Sequence, residues 1–411
     1  MSIFSDTSDE EYCHMKRKRQ RQSSIQSPIP SQIPSQIPKT SPEKKKLKTS
    51  SYISKREFIP STLSKDEAIS LLKYYLSPYI TRVSNNIFIR ITYYNFIIEY
   101  IKDIPKNICF TKDDDKDVYV LNDTIFLSKK IGSVSVYGIV YKSYNRENYL
   151  FRIATKITKN TPNNKKEIEI ASNLSNLVIT NKNPHFVIIY NNYECNIIST
   201  VSQSSHHDLM KSNYLILLNE LANGDANMFY SNIVNELILK KNIDIDLLYN
   251  SLFQIIISIY SFHCNTGYIH HDAHIGNFLF HKVNKGGYIY YKINDEDYYC
   301  ENNGYLWVIW DFGGAKMKNN GKEYYIDYLR ILDHLYSYRH DIKKDGGFFD
   351  IINRILNELY RIKLNAYNEI LDNENEFINF VMTLIYDKIN KKKIIPEHKL
   401  IINKVPYIIK N

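Results

Sequence analysis

A chain of 411 residues, 44% hydrophobic and 24% charged, is long enough for a two-lobed globular body with a sizeable core and a tail. Of its net charge of +9, six charges sit in residues 1–60, where 12 Lys and Arg face 6 Asp and Glu; the near-neutral remainder needs no nucleic-acid partner. Cys13, Cys109, Cys195, Cys264 and Cys300 are scattered, odd in number and without a C-x-x-C spacing, which argues against a zinc site or disulfide framework and for a reducing compartment.

Residues 1–60 read as a disordered, basic, Ser/Pro-rich tail. Ser27-Pro28-Ile29-Pro30 is followed by two Ser-Gln-Ile-Pro repeats, and such a stretch lacks the bulk for a core. Lys16-Arg17-Lys18-Arg19 and Lys44-Lys45-Lys46 suit a nuclear signal, a nucleic-acid contact or an anionic-surface contact, with a solvated linker as the plainer alternative. No apolar leader precedes this tail, so no signal peptide is expected.

Residues 61–124 read as an accessory helical segment. Ser64-Lys65-Asp66-Glu67 is a capping box before the apolar stripe Ala68, Ile69, Leu72, Tyr75 and Leu76. A second helical or mixed segment is expected at Tyr93–Ile104, and Asp113-Asp114-Asp115 marks a loop. From Ile125 the pattern predicts strands at Ile125–Val134, Val136–Tyr144 and Tyr149–Ile157, then a helix at about 164–176. Strands near 186–190, 194–201 and Tyr214–Leu218 follow. After Ala222 the chain turns mostly helical, so a β-rich part at 125–219 and a helical part at 220–411 meet at a short hinge. Leu247–Phe262, interrupted by Asn250, Ser251, Gln254 and Ser258, reads as a buried helix, too short and polar to span a membrane.

The chemistry-bearing residues lie across that hinge. Asp272 follows the long apolar helix, and Asn277 lies five residues later in His270-His271-Asp272-Ala273-His274-Ile275-Gly276-Asn277. This is the spacing at which an Asp takes a hydroxyl proton and an Asn holds Mg²⁺. Asp311-Phe312-Gly313 ends the apolar run Leu306-Trp307-Val308-Ile309-Trp310, where an Asp can hold a metal that bridges phosphates. Lys156 in Ile153-Ala154-Thr155-Lys156 is the candidate phosphate-binding cation, and strand alternation puts Ala154 beside it. Glu167 is its candidate partner by helix phase, with Glu169 as runner-up.

A phosphate loop fits less well. Ile131 to Tyr141 holds only Gly132 and Gly138, and Gly138-Ile139-Val140 fits the end of a G-x-G-x-x-G-x-V pattern. Ser133 and Ser135 then stand where glycines belong; they offer hydroxyl and N–H groups but not glycine's close approach. Backbone groups of Glu220 to Ala222 are placed to hold adenine, and Asp225 to reach a ribose.

With these motifs the chain resembles the protein-kinase-like superfamily over about 125–340. More narrowly it resembles divergent Ser/Thr protein kinases of large nucleocytoplasmic DNA viruses, poxvirus-like, through Asn183-Pro184-His185-Phe186-Val187-Ile188-Ile189-Tyr190 and Tyr305–Gly313. The resemblance implies an α+β bilobal fold, with a small β-rich N-lobe at 125–219 and a mainly helical C-lobe at 220–411. It implies ATP and Mg²⁺ (or Mn²⁺) as cofactors, a protein substrate such as a viral one, and a place in the host cytoplasm, a virion or the nucleus.

In the family an Asp at the start of a helix braces the catalytic loop, and Asp327 matches it. His271 replaces the usual Arg, no A-P-E motif precedes Asp327, and the segment from Asp311 to Asp327 is short, so activation-loop control is not expected. His274 stands where Lys is usual, as in aminoglycoside- and choline-type phosphotransferases. A small-molecule phosphotransferase and a catalytically weak binding scaffold are therefore the alternatives. Gly286-Gly287, Tyr288–Ile293 and Tyr305–Trp310 are expected to form an extra β-hairpin.

Overall fold

The computed structural model describes residues 87–113, 118–135, 138–145, 152–195, 213–239, 242, 244–318, 323–343, 345–364, 373–390 and 395–410. The tail, the helix expected from the Ser64–Glu67 capping box through Leu76, and residues 196–201 of the strand expected at 194–201 lie outside these residues. The described part is α+β, with seven α-helices and a seven-stranded sheet.

Helix α1 (Ile89–Ile101) leads into strands β1 (Phe110–Asp113) and β2 (Val118–Leu121). These continue into β3 (Ile125–Ser135), β4 (Gly138–Asn145) and β5 (Arg152–Lys159). Helix α2 (Pro162–Ile179), β6 (Ile189–Cys195) and β7 (Tyr214–Glu220) follow. The sheet order is β1-β2-β3-β4-β5-β7-β6, with antiparallel neighbours throughout. Strand β7 is buried along its whole length, as expected of the apolar run Tyr214–Leu218 covered on both faces.

One expectation for the accessory segment is corrected. The break at 124/125 does not divide the structure, because β1 and β2 belong to the same sheet as β3. A tight turn with positive φ at Asn122 and Asp123 pairs Leu121 with Ile125. Of the acidic run only Asp113 is described, at the end of β1; Asp114 and Asp115, where a loop is expected, lie outside the described residues.

The second correction concerns the cysteines. Cys109 and Cys195 form a disulfide, 86 residues apart. Cys109 immediately precedes β1 at one edge of the sheet, and Cys195 ends β6 at the other. Asn107 bridges to Glu194, and the Glu194 N–H donates to Lys106 O at 2.9 Å. The sheet thus curls until its two edges meet, and the disulfide clamps the seam. Closure of this kind removes unpaired strand edges. Spacing along the chain carries no trace of such a pairing. The expectation that the cysteines form no disulfide is thereby corrected.

Helix α2 starts at Pro162 behind an N-cap Thr161, whose hydroxyl accepts the Asn164 N–H at 3.2 Å. It packs Ile170, Ala171, Leu174 and Val178 into the core. Strand β6 takes in the end of the strand expected near 186–190 and the described start of the one expected at 194–201, with an irregular register at Ile189–Asn191.

Beyond the sheet lie β8 (Gly224–Asp225), α3 (Ala226–Ile238), α4 (Ile245–Thr266), β9 (Tyr268–Ile269) and β10 (Phe278–Lys282). Strands β11 (Tyr288–Ile293), β12 (Glu296–Glu301), β13 (Tyr305–Ile309) and β14 (Lys316–Met317) follow. Helices α5 (Tyr325–Tyr336), α6 (Phe348–Lys363) and α7 (Glu374–Ile389), then β15 (Tyr407–Ile409), end the described chain. Helix α4 is the central post, buried on every face from Leu248 to His263. It runs 22 residues and by length and composition is apolar enough to cross a membrane, contrary to the shorter reading of Leu247–Phe262; 83% of its apolar window is buried inside the protein. The expected hairpin is re-paired: β11 pairs with β12 across a turn at Asn294-Asp295, while β13 pairs with β10.

Candidate active site

Strand β5 lies between β4 and β7 in the sheet and carries Lys156. Thr155 turns to the opposite face, where its hydroxyl accepts from Ser143 at 2.8 Å. The Lys156 ammonium therefore leaves on the other face, together with the buried Ala154. It meets Glu167 Oε1 at 2.5 Å and Asp311 Oδ1 at 2.8 Å, and lies 5.5 Å from the centre of the Trp310 ring. Glu167 faces inward in phase with Ile170, Ala171 and Leu174, whereas Glu169 is exposed.

Burial works against the Lys156 charge, but Asp311 and Glu167 outweigh it and hold the ammonium above its ordinary value. Asp311 is raised by burial yet held below the carboxylate range by Lys156. Burial pushes Glu167 up, and Asp311 beside it adds to the rise while Lys156 opposes it. Two carboxylates thus share one ammonium.

Asp311 follows β13 with φ 65° and ψ 75°, a left-handed conformation rare for a residue with a side chain. A Cβ at Gly313 would lie 3.2 Å from Glu167 Oε2, so a side chain there would crowd that carboxylate. Phe312 is buried and stacks on Phe262 of α4 with ring centres 5.0 Å apart.

The loop after β9 carries Asp272 and Asn277. Its backbone is gripped by Asp327 at the start of α5, which accepts the N–H of His270 at 2.6 Å and of His271 at 2.8 Å. The Asn277 amide donates to Asp272 O at 2.8 Å, and Asn277 O accepts the Trp310 N–H at 3.0 Å. That last bond brings Asn277 alongside the strand end that carries Asp311. His274 caps the short turn at Ile275–Asn277, its Nδ1 accepting the Gly276 N–H at 3.0 Å. Its Nε2 lies 3.8 Å from Asp272 Oδ2. Burial keeps this imidazole below its ordinary value despite Asp272, which pulls the other way.

Four residues that the motifs do not flag complete the arrangement. Arg330, one turn beyond Asp327 on α5, places Nη2 2.9 Å from Asp272 Oδ1 and donates Nη1 to His271 O at 2.9 Å. His263, near the end of α4, bridges Asp327 Oδ2 at 2.8 Å and Glu374 Oε1 at 2.5 Å. Lys318 closes that buried group on Glu374 Oε2 at 2.7 Å. The i, i+3 spacing of Asp327 and Arg330 is the one sequence signal among these, since both then face the same loop. Glu374 approaches from a distant helix and leaves no local trace.

The expected nucleotide residues are placed less uniformly. Gly132 has φ 75° and sits in the irregular pairing between Ile131 and Ser135; the side chains of Ser133 and Ser135 lie outside the description. Gly138 is required by packing, because a Cβ there would lie 2.8 Å from Ile157 O. Val140 pairs with Lys156 across β4 and β5. Glu220, expected to offer backbone groups to adenine, donates its N–H to Ile188 O at 2.9 Å. Its carboxylate is buried against Arg90 of α1, which also reaches Pro184 O and Phe186 O. Asp225, expected at a ribose, caps α3 by accepting the Met228 N–H at 2.8 Å. Ala222 lies in the linker between β7 and β8.

Among the described residues no group of three or more His, Cys, Asp or Glu could hold a metal ion. Asp311 and Asn277 are the oxygen donors that would hold a Mg²⁺, a hard cation that needs few protein ligands. The Asn277 amide nitrogen is turned to Asp272 O, which leaves its oxygen on the other side. Chemically these residues offer an ammonium, the side-chain oxygens of Asp311 and Asn277, and the partly exposed Asp272 carboxylate. No family model matches this chain, and no curated protein matches it.

Proposed function

We propose that this chain is an ATP-dependent phosphotransferase with a bilobal protein-kinase-like fold, acting as a Ser/Thr protein kinase. One observation carries the reading: Lys156 from the sheet bonds both Glu167 and Asp311, and Asp311 follows the residue that bonds Asn277 in the Asp272 loop. Phosphoryl transfer is mainly positioning and charge neutralisation, and these are the groups it needs.

In this reading Lys156 holds the ATP phosphates and Glu167 fixes Lys156. Asp311 and Asn277 hold Mg²⁺ or Mn²⁺, which when bound neutralises charge on the phosphates. Asp272 takes the proton of the acceptor hydroxyl, a contribution of roughly 10²–10⁴-fold. Asp327 braces its loop from below. A small-molecule acceptor is the second reading, favoured by His274 beside Asp272 in place of a lysine.

The test is transfer from Mg-ATP to the protein itself, to a basic test protein, and to aminoglycosides and choline. Wild type transfers to protein and Asp272→Asn does not. Equal transfer by both would sink Asp272 as the base. Transfer to a small molecule alone would select the second reading. A nucleotide-dependent rise in Tm with no transfer to any acceptor would leave a binding protein.

A further inference from the structure

The Asp272 loop, 270–277, contains no lysine or arginine. The cation that bonds it comes from another element. Arg330 reaches across from α5 and bonds Asp272 Oδ1 with one nitrogen of its fork and His271 O with the other. Its planar guanidinium can do both at once, which a lysine's single ammonium cannot do as rigidly. The same helix, one turn earlier, grips the N–H groups of His270 and His271 through Asp327. Both anchors therefore hold one loop from one helix face.

The two oxygens of Asp272 are consequently unequal. Oδ1 is taken by Arg330, while Oδ2 faces His274 Nε2 at 3.8 Å, too long for a direct hydrogen bond. Because His274 Nδ1 accepts from Gly276, a neutral His274 carries its proton on Nε2 and presents it to that gap. A hydroxyl in the gap would donate to Oδ2 and accept from Nε2.

We propose that Arg330 is the positioning residue of this site: by holding Oδ1 it aims Asp272 so that Oδ2, beside His274, receives the acceptor's proton. This rests on the phosphotransferase reading above. In the step, the acceptor O–H bond breaks and its proton goes to Oδ2. The acceptor oxygen bonds the γ-phosphorus, and the bond from that phosphorus to the bridging oxygen breaks, its electron pair leaving with ADP. Arg330 touches neither nucleotide nor acceptor; it sets which oxygen is presented. A carboxylate free to rotate spends most of its time misaimed, and misplacement of about 1 Å can cost on the order of 10²-fold.

The experiment compares full-length wild type, Arg330→Gln and Arg330→Lys with Mg-ATP and a protein acceptor. Arg330→Gln should lower kcat by about 10²-fold. KM for ATP and the nucleotide-induced rise in Tm should stay as in wild type. Arg330→Lys should restore part of kcat. The proposal is overturned if Arg330→Gln keeps wild-type kcat. It is also overturned if kcat and the nucleotide-induced Tm rise are lost together in both variants, which marks a purely structural role. A wild type that transfers to nothing removes the underlying reading and this proposal with it, and the control shows that before any variant is measured.

Discussion

Lys156 and Arg330 each hold a carboxylate in the same site, and their surroundings could hardly differ more. The side chains of Lys156 and Glu167 are each 4% exposed, whereas Arg330 and Asp272 are 44% and 38% exposed. A buried ion pair is costly to break, because the remaining charge stays desolvated; an exposed one contributes at most about 1 kcal/mol to stability. The deep end of the site is therefore bound up with folding, while the open end can be altered with the fold intact. Under the proposed phosphotransferase reading, that division would fix a nucleotide beside buried Lys156 and leave acceptors to exchange beside exposed Asp272.

The largest effect is expected at the buried Lys156 group. Lys156→Met should abolish transfer and also cost about 3–5 kcal/mol, because it leaves Glu167 and Asp311 facing each other in a buried place. Asp311→Asn should abolish transfer at a smaller loss of stability, since Lys156 and Glu167 remain paired. Urea unfolding of both variants checks this. Equal stability of Lys156→Met and wild type would mean that the deep group is not the folding element described here.

A second test asks whether the deep end depends on sheet closure. Replacing Cys109 and Cys195 with Ser should lower stability by about 2–4 kcal/mol, as expected for cross-linking a long loop. The sheet carries Lys156 but not Arg330, so KM for ATP should rise while the ratio of Arg330→Gln to parent kcat stays unchanged. A change in that ratio would show that the two ends are not separable.

The same division explains what was legible in advance. Asp272, Asn277 and Asp311 stand at short spacings beside apolar runs, and helix phase distinguishes Glu167 from Glu169. Local order along the chain is enough to bring such residues to notice. The strand partner of β11 was misread because apolar alternation says that a run is a strand but not what it pairs with. The Asn294-Asp295 turn was the local signal for the correct hairpin. The Cys109–Cys195 disulfide, the Arg90–Glu220 pair and the His263–Glu374 pair join residues 86, 130 and 111 positions apart. Each depends on the curl of the sheet or the docking of a distant helix, which no window of sequence contains.

The two ends are also backed by histidines of opposite character, and this yields the smallest of the expected effects. His185 lies behind the strand that leads to Asp311: its Nδ1 donates to Trp307 O at 2.7 Å and its Nε2 accepts from Tyr291 at 2.9 Å. Burial, helped by Arg90, lowers it to about 4. His263 lies beneath the Asp272 loop; burial works against its charge, but Glu374 and Asp327 outweigh it and raise it to about 9. A raised value means that the folded state holds the proton more tightly than the unfolded chain, near 6.5. The stability from His263 is thus fully present below about 6.5 and is lost as pH rises through about 9. For His185 the sign reverses: its contribution is present above about 6.5 and is lost as pH falls through about 4. Asp327 and Glu374, both held below their ordinary values, are lost on the same acid side. Stability should therefore peak near pH 6.5, with Tm falling by roughly a few degrees toward pH 9, where tyrosines do not yet titrate. His263→Gln should remove that alkaline slope and leave the acid slope of His185 in place. An unchanged slope between pH 6.5 and 9 in His263→Gln would show that the loop is not held by a charged histidine.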